Sequence, residues 1–338
     1  VAERKRITAG LAAGFLCLAS TALQAQGLSL DAVNGADLSA KAVKGVSPAI
    51  LRAQVLLDRA RFSPGVIDGR RGENVGLAVR AFERQHGLKE DGEIDPEVLA
   101  RLAEADARPA LKEYTITDAD LKGPFTKEIP ERFEDKAELD RLGYTSPEEM
   151  LAERFHMDED LLEALNPGKS FDKAGTRILV ADVETPKPEA KVRRIEVDRS
   201  AKALRAFAED GSLVAYYPAT IGSEDKPTPE GVHEVTAVAP NPTYTYRPDK
   251  YQFKGVEAKK AFTIKAGPNN PVGSVWIDLS KDTYGIHGTP DPAKVGKTAS
   301  HGCVRLTNWD AEELAGMVEK GVKVEFTGAT KPGAELKP

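Results

Sequence analysis

The chain has 338 residues, 41% hydrophobic and 30% charged, enough for two or three domains that each bury a core. A formal net charge of -6 offers nucleic acid no electrostatic attraction, and that class of partner is set aside. Of the two cysteines, Cys17 lies in an N-terminal apolar run, which leaves Cys303 alone in the body of the chain.

Arg4, Lys5 and Arg6 precede an apolar run over 10–23 and then small residues. This is the layout of a secretory signal peptide (1–25), cleaved after Ala22 or Ala25. The run is short for a membrane span, so no integral span is expected in the mature chain. Leu16 before Cys17 argues against a lipid-modified cysteine. Residues 26–46, rich in Ala, Gly and Ser, read as a flexible leader. Export would place Cys303 where thiols ordinarily pair, so it is either a buried small hydrophobe or a reactive group.

From Ser47 the periodicity turns helical, with Ile50, Leu51, Val55 and Leu56 on one face. A Gly/Asp-rich turn over 63–69 leads to a second helix at roughly 73–86, with Val75, Leu77, Ala78, Ala81 and Phe82 as its stripe. A third begins near Asp95-Pro96. Residues 47–105 therefore predict a small three-helix domain. Across 111–184, a strand near Tyr114, helices capped by Ser146 and Asp158, and a returning strand over 175–182 predict a small α+β module. A loop-like insertion near 122–142 interrupts it. Thr185-Pro-Lys-Pro188 opens a stiff linker, 185–191. Beyond it, strand-like runs at 192–197, 203–207, 212–221, 232–238, 262–265, 275–279 and 322–326 predict a mainly β, sandwich-like domain over 192–327. One helix at 308–319 interrupts the strands, and 328–338 is a tail. The fold class is multidomain α+β.

Two segments of the β-rich domain carry chemistry: Tyr284-Gly-Ile-His287-Gly-Thr289 and Ser300-His-Gly-Cys-Val-Arg-Leu306. A cysteine nucleophile needs thiolate character, a base for its proton and donors for an oxyanion. His287 ends a strand run and can face Cys303 across the loop, where an imidazole in contact would lower the thiol pKa and shuttle its proton. Gly302 lets a carbonyl approach the backbone, making the amides of Gly302 and Cys303 candidate oxyanion donors. Arg305 offers a bidentate carboxylate anchor, or else an internal ion pair. Zinc is the competing use of His287, His301 and Cys303, but these three lack a fourth partner, and neither a metal nor another cofactor is expected. Trp276, Tyr244 and Tyr246 read as core before substrate platform. His86, His156 and His233 read as structural.

His-Gly-Thr, a loop, and then Ser-His-Gly-Cys-Val-Arg-Leu resembles the signature of the YkuD-type L,D-transpeptidase family. Further matches lie at Thr228-Pro-Glu-Gly231 and Ala266-Gly-Pro-Asn-Asn-Pro-Val-Gly273, upstream of Trp276, and the resemblance covers 192–326. It implies Cys303 as nucleophile, His287 as its base and the Gly288 carbonyl as the group that orients the imidazole. Ser300 and His301 would support the loop and shape the pocket beside Gly302, with Arg305 and Trp276 toward substrate. The implied reaction is a double displacement on peptidoglycan stem peptides. Cys303 attacks the diaminopimelate–D-alanine bond of a tetrapeptide donor, D-alanine leaves, and the thioester passes to an amine. That amine is another diaminopimelate (a 3→3 crosslink), a lysine of an outer-membrane protein or a free D-amino acid. Water as acceptor would make an L,D-carboxypeptidase. The family resembled is also a carbapenem target, acylated on its cysteine.

Residues 48–104 resemble the peptidoglycan-binding domain of wall hydrolases, through Leu56-Leu57, Pro64-Gly-Val-Ile-Asp-Gly69, Ala81-Phe-Glu-Arg84, Gly87-Leu88 and Asp91-Gly92. Residues 111–184 resemble a divergent LysM module, a fold that grips N-acetylglucosamine chains. Peptidoglycan, both glycan strands and stem peptides, is the implied partner, and the implied location is exported, in periplasm or cell wall. The non-catalytic alternative is a wall-binding protein with a vestigial cysteine.

Overall fold

The computed structural model describes residues 28–39, 45–186, 190–222, 228–250, 256–298, 300 and 302–328. The expected signal peptide lies outside the described residues. The leader is folded where it is described. Helix α1 (Leu30–Asn34) buries Val33 completely, and the Asn34 amide donates to the Leu111 carbonyl at 3.1 Å and accepts from the Leu111 N–H at 2.8 Å. A five-residue helix is too short to hold by itself, so this contact with a later strand and the packing of Val33 into a shared core fix it.

The helical domain comprises α2 (Pro48–Arg59), α3 (Glu73–His86) and α4 (Pro96–Ala105). Ser47 and Asp95 cap α2 and α4 by accepting the N–H groups of Ile50 and Val98, and proline at the first turn suits both starts. Gly87 closes α3 at φ 66, a left-handed conformation that costs glycine little. Fully buried Phe82 meets Phe62 edge-on at 5.3 Å.

In the next module β1 (Leu111–Thr115) pairs antiparallel with a strand that returns only after α5 (Phe133–Ala137), α6 (Pro147–Arg154) and α7 (Glu159–Leu165), namely β2 (Arg177–Ala181). Leu51, Val55 and Ile67 of the helical domain join Leu111, Leu151, Leu161 and Val180 in one apolar cluster. The two N-terminal modules thus share a core. The insertion at 122–142 is docked against the β-rich domain rather than loose. Phe133 packs edge-on against Tyr244 at 5.8 Å, and a Glu134 carboxylate oxygen accepts the N–H groups of Glu257 and Ala258 at 3.0 and 3.2 Å. Gly267, at φ 146, makes room for the end of the insertion, since a Cβ there would lie 2.0 Å from the Leu142 carbonyl oxygen.

Asp120 ties β1 to α6. It accepts from Tyr114 Oη at 2.7 Å, from Thr117 N and Oγ1 at 2.8 Å and from Arg154 Nη1 at 2.6 Å. Burial alone would raise its carboxyl, but those donors outweigh burial and hold it at about 2. A depressed carboxyl contributes stability above its unfolded pKa, here about 2 kcal/mol, which disappears as pH falls from about 4 toward 2. In chemical denaturation Asp120→Asn is expected to lose about 2 kcal/mol near neutral pH, with the gap to wild type closing over that acid range. A gap independent of pH would assign the loss to packing alone.

The linker residues 187–189 lie outside the described residues. The strands that follow among the described residues are β3 (Arg194–Asp198), β4 (Ala203–Phe207), β5 (Leu213–Pro218), β6 (Gly231–Pro240), β7 (Tyr244–Tyr246), β8 (Phe262–Ile264), β9 (Val275–Leu279), β10 (Gly285–His287), β11 (Val304–Arg305) and β12 (Lys323–Thr327). Strands β7 and β8 form a separate antiparallel pair, and the other eight make one sheet in the order β11-β10-β9-β6-β12-β3-β4-β5. Its edges meet. Thr220, just past β5, exchanges both backbone hydrogen bonds with Arg305 at 2.9 Å. The mainly β domain is therefore a single sheet curled back on itself. Ile195, Leu204, Tyr217, Ile277, Ile286 and Val304 fill its inside together with Leu314 of α8 (Asn308–Met317). Ala203 and Tyr216 on its outside complete the helical domain's core beside Phe62. Among the described residues no helix is long and apolar enough to cross a membrane.

Candidate active site

Strands β10 and β11 run parallel, with Ile286 opposite Val304 and His287 opposite Arg305. Side chains alternate along a strand, and Ile286 and Val304 both belong to the core, so His287 and Arg305 share the other face, with Cys303 directly before β11. Cys303 stands beside Gly285 and diagonal to His287.

The His287 ring is buried, and its Nδ1 pairs with the Gly288 carbonyl at 2.6 Å. A carbonyl only accepts, so Nδ1 carries the proton and Nε2 is the basic nitrogen. Trp276 stacks on the ring, 5.5 Å between centroids and 18° between planes, while its indole N–H donates to Asp278 at 3.1 Å. The half-buried thiol of Cys303 donates to the Thr283 carbonyl at 3.7 Å. Thr283 holds φ 71, a strained conformation for a β-branched residue. Gly302, at φ 108, lies under the Tyr284 ring, where a Cβ would come within 2.7 Å of a ring carbon. Buried Ser300 bridges the turn, its Oγ donating to the Cys303 carbonyl at 2.6 Å and accepting the Gly302 N–H at 3.2 Å. The Gly302 amide is therefore engaged with Ser300, and the Cys303 amide is the other of the two expected oxyanion donors. His301 lies outside the described residues.

Electrostatics depart from the expected thiol-lowering contact. Burial, and then the nearby Arg305 guanidinium, push His287 down to about 3, against the raising effect of the Gly288 hydrogen bond. Burial pushes the Cys303 thiol up, opposed by a Gly285 backbone hydrogen bond and Arg305. Burial disfavours the charged form of each group, so both shifts favour a neutral thiol and a neutral imidazole at rest. Burial also lowers the half-buried Arg305, against Asp291 and Cys303, which raise it. Its Nε is buried without a hydrogen-bond partner. Among the described residues no group of three or more His, Cys, Asp or Glu side chains could hold a metal ion.

The remaining histidines sit apart from this face. His86 ends α3 against Phe82 at 4.2 Å. His156 stacks on Trp309 at 5.0 Å and pairs with Asp58 at 3.1 Å, where all three modules meet. His233 Nε2 pairs with the Glu230 carbonyl at 3.1 Å. Sequence reasoning missed Thr283 and Asn308. The first gave no signal, and the second stood in the sequence only as a helix start.

Comparison with known proteins finds two families along the chain. The L,D-transpeptidase catalytic domain family YkuD matches residues 192–326, and the family described as "Putative peptidoglycan binding domain" matches 46–102. A Bacillus licheniformis protein, "Putative L,D-transpeptidase YkuD", is 31% identical over 181 residues, covering 53% of this chain and 92% of that one. The Escherichia coli "Probable L,D-transpeptidase YbiS" is 28% identical over 187 residues, 54% of this chain and 61% of that one, so the chain spans about three-fifths of that relative. The solved L,D-transpeptidase from Mycobacterium smegmatis, at 16% identity and a TM-score of 0.34 over 47% of this chain and 76% of that one, is too distant to add to the assignment. On the catalytic-domain match and the Bacillus licheniformis relative, this chain belongs to the L,D-transpeptidase family.

Proposed function

We propose that the protein acts on peptidoglycan stem peptides with Cys303 as nucleophile and His287 as its base. The observation that carries this reading is one face of two adjacent strands presenting His287 and the partnerless Nε of Arg305, with Cys303 directly before the second strand. The sulfur attacks the carbonyl carbon of the diaminopimelate–D-alanine amide while His287 Nε2 takes the thiol proton. The Cys303 amide supports the oxyanion. The imidazolium then gives its proton to the D-alanine nitrogen, the C–N bond breaks, and a thioester remains. An acceptor amine attacks that thioester, His287 takes the amine proton, and the proton returns to sulfur. Because thiol and imidazole are neutral at rest, the proton moves with the attack rather than before it. The Gly288 carbonyl on Nδ1 does the work a carboxylate does in other triads.

Arg305 meets a donor carboxylate. A charge-assisted pair of this kind is worth about 1.5–3 kcal/mol, so Arg305→Ala should raise the donor KM roughly 10- to 100-fold with a smaller effect on kcat. An unchanged KM would remove Arg305 from substrate recognition.

The helical domain and the strand–helix–helix–strand module serve as wall-binding units, and the protein works after export, in periplasm or cell wall. Incubating the full chain with tetrapeptide muropeptides tests the reading. Crosslinked dimers with released D-alanine are expected. Tripeptide monomers alone would show an L,D-carboxypeptidase, and no product at all would favour a non-catalytic wall-binding protein. Adding a lysine-bearing outer-membrane protein or a free D-amino acid identifies the preferred amine.

A further inference from the structure

A backbone carbonyl orients the catalytic imidazole, and a carbonyl is only as well placed as its peptide plane. Gly288 follows the end of β10, and its N–H donates to the Val275 carbonyl at a long 3.3 Å. What holds the other side is Asn308, the first residue of α8, buried and three residues beyond Arg305. A Cβ built on Gly288 would lie 2.1 Å from Asn308 Oδ1, and one built on Gly273 would lie 2.1 Å from the same oxygen and 2.5 Å from the Gly288 carbonyl carbon. The Asn308 amide is wedged against two glycine backbones with no space for a side chain on either.

Three hydrogen bonds hold the wedge. Oδ1 accepts the Ser274 N–H at 3.0 Å, and Nδ2 donates to the Pro268 carbonyl at 3.2 Å and to Glu153 Oε1 at 2.9 Å. Glu153 belongs to α6 of the middle module, and the same oxygen accepts from Tyr144 Oη at 3.0 Å. A second tie lies beside it, where Asn269 Nδ2 donates to Glu149 Oε1 at 2.7 Å and to the Gly143 carbonyl at 3.0 Å. The site asks for an acceptor toward Ser274 and a donor toward Glu153 and Pro268, which a side-chain amide supplies and a carboxylate does not.

We propose that Asn308 is a positioning residue for the His287 imidazole and that Glu153 locks it from the middle module, so that this module completes the catalytic machinery. The inference rests on His287 acting as the base. A displacement of about 1 Å at a reacting group costs up to about 100-fold in rate, so Asn308→Ala is expected to lower kcat roughly 10- to 100-fold with KM within about threefold of wild type. Glu153→Ala should lose roughly 3- to 10-fold in kcat, and Glu153→Gln, which keeps an acceptor toward Asn308, should recover to within about twofold.

The test uses the full chain, follows D-alanine release for kcat and KM, and follows the His287 Nδ1–H proton by NMR with nitrogen-15-labelled histidine. The hydrogen-bonded proton is expected in wild type and Glu153→Gln, and broadened by solvent exchange in Asn308→Ala and Glu153→Ala. Wild-type kcat and an unchanged resonance in both alanine variants would overturn the proposal and leave only a structural tie between modules. If Asn308→Ala does not fold, the Glu153 pair decides by the same two readouts. If wild type itself releases no D-alanine, the enzymatic reading fails, and the resonance alone still shows whether Glu153 and Asn308 hold the imidazole.

Discussion

Cys303→Ala is expected to abolish D-alanine release from a tetrapeptide donor, lowering it roughly 10,000-fold or more, as removal of a nucleophile does when nothing else can replace it. Cys303 is the only cysteine among the described residues, and its side chain is not part of the domain's apolar core. The side chain is small and half-buried, so the folded state should survive and unfolding should shift by about 1 kcal/mol or less. A variant that folds and still releases D-alanine within tenfold of wild type would place the chemistry on another residue.

The second large effect concerns His287. Replacing it with asparagine should cost roughly 100- to 10,000-fold in kcat, the span typical of a lost general base. The pH dependence separates this account from one built on a preformed ion pair. With the imidazole held at about 3, the base stays unprotonated through mildly acidic pH, so activity should not fall as the pH drops through the ordinary histidine range and should be lost only on approach to that value. With the thiol raised by burial, the rate of alkylation by iodoacetamide should go on climbing past the ordinary cysteine pKa of about 8.5, and His287→Asn should leave that profile nearly unchanged. An alkylation plateau on the acid side of neutrality that vanishes in His287→Asn would show a resting thiolate–imidazolium pair and contradict the neutral one.

What could be read from the sequence followed from local chemistry. Helix α3 falls where its apolar stripe and terminal glycine put it, because both signals act within a few residues. Strands β4 and β9 likewise match their alternating runs. The strand order was not legible, since β12 enters between β6 and β3 through pairing across most of the domain. Helix α1 was hidden for a related reason. Its Ala- and Gly-rich surroundings look mobile, and contacts far along the chain order it: the Asn34 side-chain amide on the Leu111 backbone and Val33 in the shared core.

The site divides the same way. Cys303, His287, Gly302 and Arg305 lie in two short motifs whose residue types declare their chemistry. Glu153 sits in the charged stretch Pro147–Arg154, which reads as solvated surface, and nothing local says that its carboxylate meets Asn308 across a module boundary. The motif at 266–273 is intermediate. Its glycines were visible, but their purpose, close approach by Leu142 at Gly267 and by Asn308 at Gly273, appears only in three dimensions.

The central claim is that the sulfur of Cys303 carries the acyl group between donor and acceptor. Intact-protein mass spectrometry of the full chain, quenched in acid shortly after mixing with a tetrapeptide donor and no added amine, tests it directly. The account predicts a mass increase equal to the donor minus D-alanine, located on Cys303 by peptide mapping and discharged when an acceptor amine is added. Free D-alanine accumulating with no adduct on that sulfur, or an adduct mapped to another residue, would contradict it.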